Sequence, residues 1–403
     1  MKFKQFSEQL GPGFVMAATG LGAGDLVAAA VAGSKFGYLL LWAVVLGAIV
    51  KFALNEGIAR WQLSSNTSVI EGISTHLPRW VSWYFLAFLF LWSFIVAGAL
   101  MSASGLAAHA LFPEISVAIW AMIHAVIGLL FIVFGNYQWL ERLMKFCIAL
   151  MFFMVIACAI MITDDFFALF KAFFSPSLPP DSLPLVLAII GGVGGSVTIL
   201  CYGYWLKEKN WIGDQYLKTS RIDLGLAYSL TALFGIGIII VAAGAQPETM
   251  KGAKMAVALA NQLEVHLGTT GKWFFLIGFW AAVFSSLLGV WHGVPALYQE
   301  SIKSSFPGLA NNPLISGQKA FLLFLTFPPM LLLLFDKPVW LVITYALTGA
   351  FFMPFLAGVL LYLNNSKQLD STAKNRWLAN VTLALSAILF IALLGLELQK
   401  RFG

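Results

Sequence analysis

Long apolar runs separated by short polar stretches make up most of the chain. A helix needs about 20 mostly apolar residues to cross the hydrocarbon core of a bilayer. Runs of that length fall at 12–33, 37–60, 80–106, 116–135, 144–163, 183–206, 220–244, 272–295, 317–335, 338–363 and 376–397. Between them sit turn formers such as Ser64-Ser65-Asn66, Ser175-Pro176, Pro179-Pro180, Asn311-Asn312-Pro313 and Asn364-Asn365. The pattern predicts an all-α integral membrane protein of about 11 transmembrane helices, with residues 1–403 forming one transmembrane domain. The segment Glu248–Gly268 is too polar to span. Its residues Met250, Met255, Val257, Ala258 and Leu263 predict a short amphipathic helix lying on the outer surface.

Two of the runs carry an internal interruption. The first contains Thr19-Gly20-Leu21-Gly22-Ala23-Gly24-Asp25. Each glycine costs helix stability by about 1 kcal/mol relative to alanine, and a carboxylate near the bilayer midplane costs about 2.5–3.5 kcal/mol. A span that accepts both is expected to be a broken helix lining a cavity. The sixth run breaks in the same way, at Ile190-Gly191-Gly192-Val193-Gly194-Gly195-Ser196-Val197-Thr198. Paired interruptions at corresponding places in two halves point to a transporter binding site. They predict a 5+5 inverted repeat with helices 1 and 6 broken at the centre. Residues 1–163 form the first five-helix unit, 183–363 the second, and 376–403 an added helix and tail.

Composition supports the membrane reading. The chain is 60% hydrophobic and only 10% charged, against about 25% charged in soluble proteins. Its 35 phenylalanines and 14 tryptophans suit a lipid-facing surface with interfacial belts. The net charge of +6 comes from loop lysines and arginines rather than from a nucleic-acid surface. Those residues crowd the N-terminal side of the spans nearly two to one over the other side, which places the N-terminus in the cytoplasm of a cell membrane. Lys2 and Lys4 before an apolar run imitate a signal peptide, but the run contains Gly20–Asp25 and ten more hydrophobic segments follow it. Cys147, Cys158 and Cys201 all lie in apolar runs and spell neither a disulfide framework nor a zinc site. There is no Ser-His-Asp spacing, no HExxH and no P-loop, so neither an enzyme, a resident cofactor nor an ATP-driven pump is indicated. Nothing in the pattern requires more than a monomer.

A broken helix frees carbonyls that favour cations and amides that favour anions. With the fixed charge of Asp25, the balance favours a cation. The candidate ligands are Asp25, the carbonyls of Leu21 and Gly22, those of Gly192 to Gly195, and the hydroxyls of Ser196 and Thr198. These are hard oxygen donors, suited to Mg²⁺, Ca²⁺ or Mn²⁺. Other polar residues read as structural: Lys51, Asn55 and Glu56 as a snorkelling or paired set near the cytoplasmic end of helix 2, His124 and His292 as satisfied core histidines, and Cys201 as a small apolar packer. Thr344, Tyr345 and Thr348 either line a path or bond back to their own helix.

At these residues the chain resembles the Nramp family of divalent-metal transporters. Gly11-Pro12-Gly13-Phe14 through Phe36-Gly37-Tyr38-Leu39-Leu40-Leu41-Trp42 is similar to the family's opening pattern, and the likeness runs on into Ala59-Arg60. The resemblance implies a LeuT-like inverted-repeat fold and a divalent cation as transported partner. It also marks departures. Where the family carries Asp-Pro-Gly-Asn, this chain has Gly22-Ala23-Gly24-Asp25, so the carboxylate stands three positions further on. Where the family carries Met-Pro-His, this chain has Ile199-Leu200-Cys201, without the thioether. The family's acidic residues on helix 3 have no counterpart in Phe94–Ala99. The pattern looks like a divergent Nramp-related branch, some of whose members carry Mg²⁺. The expected function is a secondary transporter or facilitator for a hard divalent cation. The alternative is a transporter of an amino acid or other small organic solute, and a third reading is a sensor that has kept the fold and lost transport.

Overall fold

The structure, a computed structural model, describes residues 11–163, 166–243, 255–335 and 337–402, without the side chains of residues 23–25, 166, 168, 398 and 400–402. The first span is α1 (Pro12–Gly20) and α2 (Ala23–Phe36), separated by Leu21 and Gly22. There follow α3 (Leu41–Ser65), a short α4 (Val69–His76), α5 (Arg79–Leu111), α6 (Val117–Phe134), α7 (Tyr137–Ile162) and a surface helix α8 (Phe166–Phe174). The sixth span is α9 (Leu183–Gly192), a 3₁₀ turn Val197–Leu200 and α10 (Cys201–Glu208). The rest is α11 (Leu217–Ala242), α12 (Met255–Ser305), α13 (Gln318–Thr326) with a 3₁₀ continuation Pro328–Phe335, α14 (Pro338–Asn364) and α15 (Trp377–Phe402).

Local sequence explains the boundaries. Ser68, Ser116 and Asn136 each turn a side-chain oxygen onto a backbone amide three residues ahead and so begin α4, α6 and α7. Pro12 and Pro338 occupy first turns, where a missing amide hydrogen costs nothing. Among the described residues ten helical stretches are long and apolar enough to cross a membrane. The sequence divides the same chain into eleven. One merger of the first two spans accounts for the count. The short α1 falls outside such a measure, and the stretch Leu26–Ser65 joins the second half of the first span to the next one through the 3₁₀ corner Gly37–Leu40.

The amphipathic segment after α11 is not laid on the surface. It is the first part of α12, set off by a bend at Gly268, whose φ of 67° is open to glycine. Met255, Ala256, Leu259, Ala260 and Leu263 are buried in the protein core, so the apolar face docks on protein. Met250 lies outside the described residues.

The sixth span is the axis of the molecule. In its most apolar window 89% of residues are buried, against 28% in α15, whose outward side chains include Leu385, Ile388 and Ile391. At one end of the bundle, polar groups tie the helices together. Lys209 and Lys145 pair with Glu141, Arg60 and Arg221 with Glu56, and Lys207 with Glu300.

Candidate functional site

The two interrupted spans touch at their breaks. A Cβ on Gly20 would collide with the backbone of Gly194, so the contact exists because neither residue has a side chain. Gly194 and Gly195 both have left-handed φ, 67° and 86°, which side-chain-bearing residues enter only at a cost of about 1–2 kcal/mol. The glycine run of the sixth span therefore serves two ends: it turns the chain sharply and lets α1 approach it.

Around the first break, neutral hydroxyls answer the free carbonyls. Ser286 Oγ donates to Thr19 O at 2.5 Å and Ser285 Oγ to Ala18 O at 3.2 Å. Ser286 also lies directly against Gly22. The far end of α1 is held by a buried carboxylate. Asp223 of α11 accepts from Gly13 N at 2.6 Å, from Gly11 N at 3.3 Å and from the Tyr202 hydroxyl at 3.0 Å. These amides are the orphan donors of a helix start, and Gly11 and Pro12 offer no side-chain oxygen for them. Asp223 does from another helix what an N-cap residue does from its own.

Around the second break, an ammonium answers the carbonyls. Lys51 of α3 is fully buried, and its Nζ donates to Gly191 O at 2.7 Å and to Gly195 O. This corrects the snorkelling reading. Lys51 does not run to the membrane surface; it crosses to the end of α9, where unpaired carbonyls and the negative end of the helix dipole favour a cation. The three residues read as a set point to three places: Asn55 Nδ2 donates to the Tyr228 hydroxyl at 3.1 Å, and Glu56 pairs with Arg60 at 2.7 Å and Arg221 at 2.8 Å.

The candidate ligands are distributed as follows. Leu21 and Gly22 form the first break and are buried. Asp25 stands in the first turn of α2; its side chain lies outside the described residues. The Gly195 carbonyl, expected among the metal ligands, accepts a hydrogen bond from Lys51 of α3. Ser196 Oγ accepts from Trp92 Nε1 at 3.0 Å, which turns it towards α5. Thr198 is buried beside Gly195, and its Oγ1 has no hydrogen-bond partner among the described residues. The terminal methyl of Met16, on α1, also reaches the space beside Gly195.

The other polar residues singled out in the sequence make contacts within the fold. His124 bonds Trp120 O at 2.7 Å through Nδ1 and receives Trp280 Nε1 at 2.8 Å on Nε2. His292 receives Trp205 Nε1 at 3.3 Å. Cys201 is wholly buried against Gly293. Thr348 bonds back to Thr344 O at 2.8 Å, while Tyr345 stacks obliquely near Trp92. Among the described residues no group of three His, Cys, Asp or Glu side chains could hold a metal ion.

A polar cavity of about 580 Å³ leads towards this region from the ion-paired end. Gln62, Glu71, Lys207 and Glu300 line its wall, and Leu200 and Tyr204, just past the second break, form its inner side. Gln62 Nε2 donates to Gly203 O at 2.5 Å, which ties α3 to α10 at this wall.

A sequence model of the Natural resistance-associated macrophage protein-like family matches residues 13–399. The divalent metal cation transporter MntH of Caldanaerobacter subterraneus is 23% identical over 329 residues, covering 78% of this chain and 75% of that protein. Among solved structures, a manganese transporter of Eremococcus coleocola aligns with a TM-score of 0.79 at 15% identity, over 98% of this chain and 86% of that one. MhsT in complex with L-phenylalanine aligns more loosely, with a TM-score of 0.56 at 17% identity, over 95% of this chain and 97% of that one. The all-helical, LeuT-like fold is common to all of them at the level these likenesses reach.

Proposed function

This chain belongs to the Nramp-like family of membrane transporters, and on that premise we propose that it carries a divalent cation across the membrane by alternating access. A hard ion, Mg²⁺ or Mn²⁺, suits the donors best. The observation that carries the reading is the meeting of two broken helices at Gly20 and Gly194, with the bare Thr198 hydroxyl buried beside the junction. Asp25 supplies the anchoring charge, and Leu21, Gly22 and the hydroxyls of Thr198 and Ser196 supply further oxygens. Met16 brings a thioether side chain to the same space, and it sits on α1 rather than on the sixth span. The reading extends to topology. The repeats are 1–163 and 183–363, with 376–403 added, and the N-terminus is cytoplasmic. The cavity behind Leu200 is then the cytoplasmic way in, and Asp223 acts as a latch on the start of α1.

Uptake into proteoliposomes tests this. Wild type takes up Mn²⁺ or Mg²⁺, and Asp25→Asn abolishes uptake while the protein still elutes as a folded species. Undiminished uptake by Asp25→Asn sinks the assignment.

A second reading follows from one observation, the buried ammonium of Lys51. A fixed cation repels a metal and attracts a carboxylate, which suits an amino acid or similar organic solute. Thermal stabilisation by amino acids, with none by Mg²⁺ or Mn²⁺, would select it.

A further inference from the structure

We propose that Lys51 is a tethered cation: its ammonium occupies the carbonyl cage at the second break, in the place an alkali ion or small amine would take. The chain supplies its own positive charge there and leaves the substrate to the first break. This role goes beyond the proposed function and holds for a metal or an organic substrate alike.

The geometry comes first. Gly191 O belongs to the last turn of α9, and Gly195 O to the loop beyond it. One ammonium therefore clasps both sides of the interruption. Gly195 O is turned to it by a left-handed residue, φ 86°. Two main-chain oxygens, one on each side of the interruption, thus meet at the ammonium. Placement of α3 is equally specific. One turn before Lys51, Gly47 lies so close to α9 that a Cβ there would come within 3.1 Å of Ile190 Cα and 3.3 Å of the Val193 side chain. That approach brings the lysine within reach.

Energetics point the same way. An ammonium in hydrocarbon costs several kcal/mol unless it is bonded. Carbonyls at a buried helix C-terminus cost free energy unless something positive or hydrogen-bonding meets them. The ammonium and the two carbonyls offset part of each other's cost. A lysine is suited to this because it is a compact point charge with three donors on a thin stem. An alkali ion satisfies the same oxygens by the same electrostatics, so removal of the side chain should leave a cation site rather than an apolar hole.

The test uses the full-length protein in detergent, wild type beside Lys51→Ala and Lys51→Met. Thermal unfolding is followed at equal ionic strength in N-methyl-D-glucamine, sodium, potassium and ethylammonium chloride, with no divalent ion present. Wild type should melt at one temperature in all four. Lys51→Ala should fall by several degrees in N-methyl-D-glucamine and recover most of the loss in sodium, potassium or ethylammonium. Lys51→Met, whose apolar chain fills the space, should be destabilised and respond to none. If Lys51→Ala cannot be isolated in N-methyl-D-glucamine, its recovery as a monodisperse protein in one of the small cations supports the proposal equally. The proposal is overturned if Lys51→Ala matches wild type without a small cation, or if no cation restores it. Rescue of Lys51→Ala together with absence of divalent binding in wild type would keep this inference and defeat the metal-transport reading alone.

Discussion

The two broken spans carry the same backbone lesion and repair it with different chemistry. At the first, Ser285 and Ser286 bond the carbonyls of Ala18 and Thr19, and Asp223 bonds the amides at the other end of α1. At the second, Lys51 bonds Gly191 and Gly195. The hydroxyls at the first break are neutral donors and bring no charge of their own. The ammonium places a positive charge at the negative end of the α9 dipole. The two breaks are therefore met unequally, by neutral hydroxyls at the first and by a charged ammonium at the second.

This contrast can be broken from either side. The largest effect is expected from Gly20→Ala. The new methyl meets the Gly194 backbone, which has no flexible side chain to move aside. A loss of about 3 kcal/mol is expected, seen as a collapse in folded yield on size-exclusion chromatography and loss of uptake. Asp223→Ala comes next. It strands two amides and the Tyr202 hydroxyl in a buried site and should cost about 2–3 kcal/mol. Because those partners hold α1, hydrogen exchange at 12–20 should quicken more than at 183–192; equal quickening of both would mean that Asp223 is no latch. Gly194→Ala forces a methyl into a left-handed residue facing the Tyr228 ring, with about 1–2 kcal/mol from the backbone alone. Its melting temperature should drop while Mn²⁺ affinity at the first break, measured on the folded fraction, changes less. Ser286→Ala is the mildest, about 1 kcal/mol, since Thr19 O loses one neutral donor. A Ser286→Ala loss as large as that of Asp223→Ala would contradict the view that the first break is only lightly tied.

The sequence shows the interruptions but not their partners. Gly20 to Asp25 and Gly191 to Gly195 are legible because local glycine density in an apolar run has few explanations. The clasp on Gly191 and Gly195 is not, because it comes from a residue 140 or more positions away, and a lone lysine in an apolar helix reads most simply as snorkelling. Asp223 is hidden for the same reason: its partners Gly11 and Gly13 lie more than 200 residues upstream. A signal was present, since Gly11-Pro12-Gly13 starts a helix with no side-chain cap of its own. A buried helix start without a cap implies a donated acceptor from elsewhere. Helix ends are blurred where one element runs into the next, as at Gly37–Leu40 and at Gly268 inside α12.

The proposed function requires a cation site at the first break with Asp25 as its anchor. Isothermal titration of the purified protein with Mn²⁺ and with Mg²⁺, wild type beside Asp25→Ala, tests it most directly. Heat with at least one ion in wild type, absent in Asp25→Ala, is the predicted result. Equal heat in both proteins, or none in wild type with either ion, would contradict it.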